Sequence, residues 1–141
     1  MLSFCFLTTP SDDQITDIIG LYLAEKWWEG GTDNTDTVKK IVAGSHCFAV
    51  AIWDGHIIGM GRAISDRISD AYIQDVTVSQ PHRGNGIGSR LVSMIILRLN
   101  QDNIYWIGLI AEKNANPFYE KLGFSVMANA APMLRKTYHE I

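Results

Sequence analysis

The run Val76-Thr77-Val78-Ser79-Gln80-Pro81-His82-Arg83-Gly84-Asn85-Gly86-Ile87-Gly88 constrains the fold more than any other stretch of the chain. β-Branched residues lead into a polar loop, three glycines alternate through that loop, and an apolar helical segment follows. Glycine reaches positive φ at no steric cost and lets a ligand come close to the backbone. A helix start adds unpaired N–H groups and the positive end of the helix dipole. A strand, such a loop and a helix in that order read as an anion site suited to phosphate. Arg83 is placed to add a charge-assisted contact. The dinucleotide fingerprint fits less well: the loop is longer, the third glycine comes one residue early, and Asp102 lies beyond the helix. The nucleotide P-loop requires a lysine that Gly88-Ser89-Arg90 lacks.

The elements around this loop follow from period and punctuation. Leu2–Thr8 is expected as a strand, and Ser11 with Gln14 as a capping box for a helix running to Trp27 and broken at Gly30-Gly31. A short helix is expected from Asp33 to Ala43. Cys47–Trp53 and Ile57–Ile64 flank Asp54-Gly55, a strong hairpin turn. Strands are expected over Tyr72–Val78, Ile104–Ala111, Phe124–Met127 and Met133–Tyr138, with helices at Gly86–Asn100 and Asn116–Leu122. Gly59 and Gly61 inside a strand signal a bulge or a close backbone approach. The pattern predicts a mixed α/β sheet in a single domain over 1–141.

Charge narrows the partners. With 12 Lys and Arg against 15 Asp and Glu, the net charge of −3 argues against a nucleic-acid binder. No apolar run approaches the ~20 residues that span a bilayer, so no membrane partner is expected. Residues 11–36 hold seven acids (Asp12, Asp13, Asp17, Glu25, Glu29, Asp33, Asp36) and one base, Lys26, whereas 76–101 hold Arg83, Arg90, Arg98 and no acid. The first stretch favours a cation and the second an anion. The N-terminus has no basic n-region, and the two cysteines form no framework, so a reduced, cytoplasmic protein is expected. His46, His56, His82 and His139 are not at ligand spacing, so no metal is expected.

A second signature follows about 35 residues after the first: Asn116-Pro117-Phe118-Tyr119-Glu120-Lys121-Leu122-Gly123-Phe124. Together with Arg83-Gly84-Asn85-Gly86-Ile87-Gly88 it resembles the GNAT superfamily of acyl-CoA-dependent N-acetyltransferases. Members carry an Arg/Gln-x-x-Gly-x-Gly/Ala loop, matched by Arg83, Gly86 and Gly88. The resemblance is best over roughly 45–128.

The resemblance implies a mixed, mostly antiparallel central sheet with a splayed strand pair, flanked by helices. It implies transfer of acetyl from acetyl-CoA to a primary amine, by direct attack in a ternary complex. The acceptor would be a small molecule or a peptide. The pantetheine arm would lie along Val76, Thr77 and Val78, and the pyrophosphate on the N–H groups of Arg83, Gly84, Asn85, Gly86, Ile87, Gly88 and Ser89. Asn116 and Phe118 would complete the cofactor site. Val78 N–H would face the acetyl carbonyl, and Tyr119 would protonate the departing thiolate. Asp75 or Glu112 would take the amine proton. Glu112 stands where many members have an asparagine, seven residues before the tyrosine. Trp27 and Trp28 would line the acceptor pocket, and a cationic amine is expected near them and the acidic segment. Small members often dimerise, so a homodimer is expected. The rival reading is a catalytically silent CoA-binding sensor or subunit.

Overall fold

The computed structural model describes residues 1–30 and 34–137. Gly31, Asp33, Tyr138 and His139, named above, lie outside the described residues. Two compact units divide the chain, one over Met1–Leu109 and one from Ile110 onward.

The first unit runs β1 (Leu2–Phe6), α1 (Asp12–Ala24), α2 (Thr35–Gly44), β2 (Cys47–Trp53), β3 (His56–Ser65), β4 (Asp70–Val78), a 3₁₀ turn (Gln80–His82), α3 (Ile87–Gln101) and β5 (Trp106–Gly108). The strands form one sheet in the order β1-β2-β3-β4-β5. All neighbours are antiparallel except β4 and β5, which are parallel.

Local chemistry explains most boundaries. Ser11 Oγ accepts from Gln14 N–H and Gln14 Oε1 accepts from Ser11 N–H, which closes the expected capping box. Asp54 and Gly55 both take positive φ, 51° and 77°, as the primed hairpin turn demands. The end of α1 differs from expectation. Lys26, not a glycine, takes the left-handed position at φ 61°. Lys26 N–H then bonds Leu23 C=O and Trp27 N–H bonds Tyr22 C=O. This is a Schellman ending, with Trp27 packed edge-on to Tyr22. It stops the helix at Ala24 and turns both tryptophans back over α1.

Strand alternation sorts the sheet's two faces. A Cβ on Gly59 would lie 3.2 Å from Leu91, and one on Gly61 would lie 3.2 Å from Ile95. These two glycines therefore face α3 and let it seat close against β3. Met60, between them, belongs instead to the core formed with Ile15, Ile18, Val38, Phe48 and Val50. α1 and α2 thus cover one face and α3 the other. His46, almost fully buried, is hydrogen-bonded to Ser65 (2.6 Å) and Asp102 (2.7 Å), which ties the start of β2 to the ends of β3 and α3.

β4 carries the irregularities. Met60 pairs with Thr77 and Arg62 with Gln74, so Asp75 and Val76 together oppose Gly61. That is a bulge, with Asp75 at φ 57°. On its other edge β4 pairs with β5 only at Asp70–Trp106, Ala71–Ile107 and Tyr72–Gly108. β5 is thus shorter than the expected Ile104–Ala111, and β4 runs on to Val78 after the pairing stops. This is the splayed pair.

In the second unit α4 spans Asn116–Glu120. Among the described residues, 124–127 and 133–137 form no strand. Val126, Met127, Met133 and Leu134 are exposed, so these segments bury no apolar face of the kind that stabilises a sheet.

The packing of α3 on bare glycine yields a prediction. Gly61→Val adds bulk against Ile95 and Val76, both 3.2 Å from the new Cβ. Overpacking of this kind costs about 1–3 kcal/mol. Urea unfolding should show that loss with an unchanged m-value.

Candidate active site

The C-terminal end of α1 and the outer half of β4 meet in a polar cluster. Tyr22 is only 2% exposed and stacks on Trp28, with ring centroids 3.9 Å apart and planes within 4°. Its hydroxyl donates to Asp75 Oδ2 at 2.7 Å, and Arg62 Nε donates to the same oxygen at 2.6 Å. Burial first, and then the charge of Asp75, push the Tyr22 hydroxyl far above the usual tyrosine range. The bulge brings Asp75 to this face, and the two donors hold its backbone in the left-handed region.

Two residues further along β4, buried Thr77 donates its hydroxyl to Glu25 Oε1 at 2.7 Å. Arg83 Nη2 donates to the same oxygen at 3.0 Å, and Arg83 Nε donates to Val78 C=O at 2.8 Å. Ser79 N–H bonds Ile58 C=O across the sheet at 2.7 Å. Alternation then turns the N–H and C=O of Val78 to the outer edge, away from β3.

The loop beyond has the geometry expected of an anion site. Gly84 and Gly86 take φ 82° and 77°, which other residues adopt only with strain. Gly86 caps α3 without a side-chain bond, and the first turn of α3 holds no acid. Asn85 folds its amide back onto the carbonyls of His82 and Arg83. Arg83 differs from expectation: its N–H closes the 3₁₀ turn on Gln80 C=O, and its guanidinium faces protein groups. The Arg83 N–H is therefore already taken by the turn.

Of the expected site residues, Asp75, Val76, Thr77, Val78, Trp27, Trp28 and the run Arg83–Ser89 all belong to the first unit. Glu112, Asn116, Phe118 and Tyr119 belong to the second. There the Tyr119 ring packs edge-on to Phe118 and Phe124, and burial raises its hydroxyl above the usual range. Glu112 is exposed, and its carbonyl accepts from Ala115 N–H. Among the described residues no three His, Cys, Asp or Glu side chains gather as metal ligands. No helix there is long and apolar enough to cross a membrane.

Comparison with known proteins turns this geometry into a family. The sequence model of the Acetyltransferase (GNAT) domain matches residues 6–136. The chain belongs to the GNAT acetyltransferase family. A relative named GCN5-related N-acetyltransferase 2, chloroplastic, from Arabidopsis thaliana is 41% identical over 68 residues, covering 48% of this chain and 26% of the relative. The match thus spans about a quarter of that relative's length. A GNAT family acetyltransferase from Streptococcus pneumoniae TIGR4 superposes with a TM-score of 0.79 at 20% identity, covering 99% of this chain and 100% of that one. A predicted acetyltransferase from Clostridium acetobutylicum, solved with acetyl-CoA, superposes with a TM-score of 0.72 at 18% identity, covering 95% and 96%. The fold is that of GNAT acetyltransferases.

Tyr22 and Arg62 are not read from sequence as members of the site, and Glu25 is read only as part of the acidic segment expected to draw a cationic amine. Arg62 carried a readable signal, since a cation between Gly61 and Ala63 in an apolar strand requires a buried acid. Glu25 was concealed inside an acidic run.

The Tyr22 shift gives a sign for alkaline stability. A hydroxyl whose pKa is raised by folding stabilises the folded state below the unfolded value, near ~10, and loses that contribution as pH rises further. Urea titrations should therefore show stability falling above about pH 10, with a shallower fall in Tyr22→Phe. The slope should not vanish, because Tyr119 is shifted the same way.

Proposed function

We propose that this GNAT acetyltransferase transfers the acetyl group of acetyl-CoA to a primary amine by direct attack in a ternary complex. One observation carries the reading: β4 continues to Val78 after its pairing with β5 ends at Tyr72, and runs into a loop whose glycines sit at positive φ before an uncapped helix start. An unpaired strand edge suits an extended amide-bearing chain. The loop suits a pyrophosphate. Acetyl-CoA combines both in one molecule and supplies an activated thioester.

The chain's own residues then divide the work. Val76 offers outer-edge backbone groups to the pantetheine amides, and Val78 N–H stabilises negative charge developing on the acetyl oxygen. Gly84 to Ser89 hold the phosphates. Trp27 and Trp28 line the acceptor pocket. Asp75 already holds Tyr22 and Arg62 on one oxygen and so shapes that wall. Glu112 is assigned the amine proton, directly or through water. Tyr119 keeps its proton at neutral pH and gives it to the coenzyme A thiolate.

A small-molecule or peptide amine remains the proposed acceptor. Cys5 and Cys47 are free thiols, which suits a reducing compartment such as the cytoplasm.

A panel of amines (polyamines, amino sugars, arylalkylamines, lysine-like and N-terminal peptides), followed by thiol release from acetyl-CoA, tests the proposal. At least one should release coenzyme A faster than water does. Binding of acetyl-CoA with no turnover on any amine would favour the sensor reading. On the active amine, Tyr119→Phe should lower kcat by about 10²–10⁴-fold with little change in acetyl-CoA affinity. Wild-type turnover would assign Tyr119 to packing.

A further inference from the structure

Resting on the acetyl-CoA reading above, we infer that Glu25 is a positioning residue for the co-substrate site: through Arg83 it holds the end of β4 and the glycine loop in their binding geometry.

Glu25 sits where its own helix does not favour an acid. It is the C-cap of α1, whose last turn holds no base, and a negative charge there opposes the negative end of the helix dipole. Its side chain is only 15% exposed, against 53% for Arg83, so its carboxylate has left water as well. The reward for that placement is long-range. Oε1 accepts from Thr77, 52 residues away, and from Arg83, 58 residues away.

Arg83 completes the span. Its Nε reaches back to Val78 C=O, on the edge where the splayed strand ends, while Nη2 reaches Glu25. One planar guanidinium thus joins the last residue of β4 to the cap of α1. The fork is rigid, so the joint fixes direction as well as distance. The backbone of Arg83 opens the loop that carries Gly84 and Gly86. Held this way, Arg83 acts through the loop it anchors rather than as an arm on the phosphate. Trp27 and Trp28 come just after Glu25, across the left-handed turn at Lys26, so the same joint connects the proposed acceptor wall to the co-substrate loop.

Calorimetric binding of acetyl-CoA across a double-mutant cycle tests this. Glu25→Ala and Arg83→Met should each weaken binding by at least about tenfold, and the double variant should bind within about threefold of the weaker single. Glu25→Gln should stay within about threefold of wild type, because its amide oxygen can accept the same two bonds. Thermal midpoints are read in parallel. Additive losses, about a hundredfold in the double variant, would place Arg83 on the phosphate independently of Glu25 and overturn the inference. So would lowered midpoints with unchanged affinity. If Glu25→Ala does not fold, Glu25→Met paired with Arg83→Met carries the same cycle and the same criterion. A wild-type chain that fails to bind acetyl-CoA would overturn the co-substrate reading itself, whereas binding with additive losses overturns only the role of Glu25.

Discussion

The slip in β4 at Asp75 is the constraint on which the site depends. A strand alternates its side chains, so one residue more or less exchanges every later position between faces. Without the bulge, Thr77 would turn toward α3 and away from Glu25, and Val76 would leave Gly61 for the face of α1. The bulge requires a non-glycine residue at φ 57°, a conformation that costs on the order of 1–3 kcal/mol. Tyr22 and Arg62 offset that cost by closing two short hydrogen bonds on the Asp75 carboxylate. A core tyrosine and a strand arginine therefore hold a backbone irregularity in place, and the irregularity re-aims the rest of the strand.

β4 and its neighbour β3 are gripped differently from the two sides. On the α3 face the contact is apolar and close, because Gly59 and Gly61 leave no Cβ between strand and helix. Ile87, Leu91 and Ile95 fill that space at helical spacing, which sets where the start of α3 and its glycine loop must lie. On the α1 face the grip is polar: Asp75 with Tyr22 and Arg62, and Thr77 with Glu25. Apolar packing is tolerant of direction, whereas hydrogen bonds are not. The helix seat thus fixes distance and the polar face fixes orientation, and a preorganised site needs both.

What was legible in the sequence was what is local. The Asp54-Gly55 turn, the Ser11–Gln14 box, the strand–loop–helix order at Val76–Gly88 and the tyrosine motif all have causes within a few residues of themselves. The ending of α1 was not legible, because Lys26 takes a conformation usually given to glycine and does so for the sake of Trp27 on Tyr22. Gly59 and Gly61 signal a bulge or a close backbone approach; the close approach is theirs, against α3, while the irregular backbone of the bulge belongs to Asp75 on the strand opposite. The strands expected at Phe124–Met127 and Met133–Tyr138 had the right composition, but pairing is a property of a neighbour and not of a segment. At the site, Val78, Gly84 and Gly86 were readable from motif and loop chemistry. The Glu25–Arg83 joint spans 58 residues and leaves no periodic trace.

The joint also changes how the acidic N-terminal segment is to be understood. Counted along the chain, residues 11–36 show seven acids against one base. Folded, three of these acids have separate uses. Asp17 accepts from Ile57 N–H and lies 3.4 Å from His56, which pins the β2–β3 hairpin to α1. Asp36 pairs with Lys40 along the exposed face of α2. Glu25 is matched by Arg83, and Asp75 nearby by Arg62. The two inner carboxylates thus face two guanidinium groups, and the cluster is close to electrically balanced. A balanced cluster exerts little long-range pull on an ammonium ion, and what it exerts is screened within ~10 Å at 0.1 M salt. Preference for a cationic acceptor would then have to arise at contact, from the exposed face of Trp27, where a ring and a cation attract each other by about 0.5–2 kcal/mol depending on how dry the contact is. The residue that makes the segment acidic at its inner end is the one we infer to order the co-substrate loop, and on that inference recognition of the amine passes to the aromatic pair beside it.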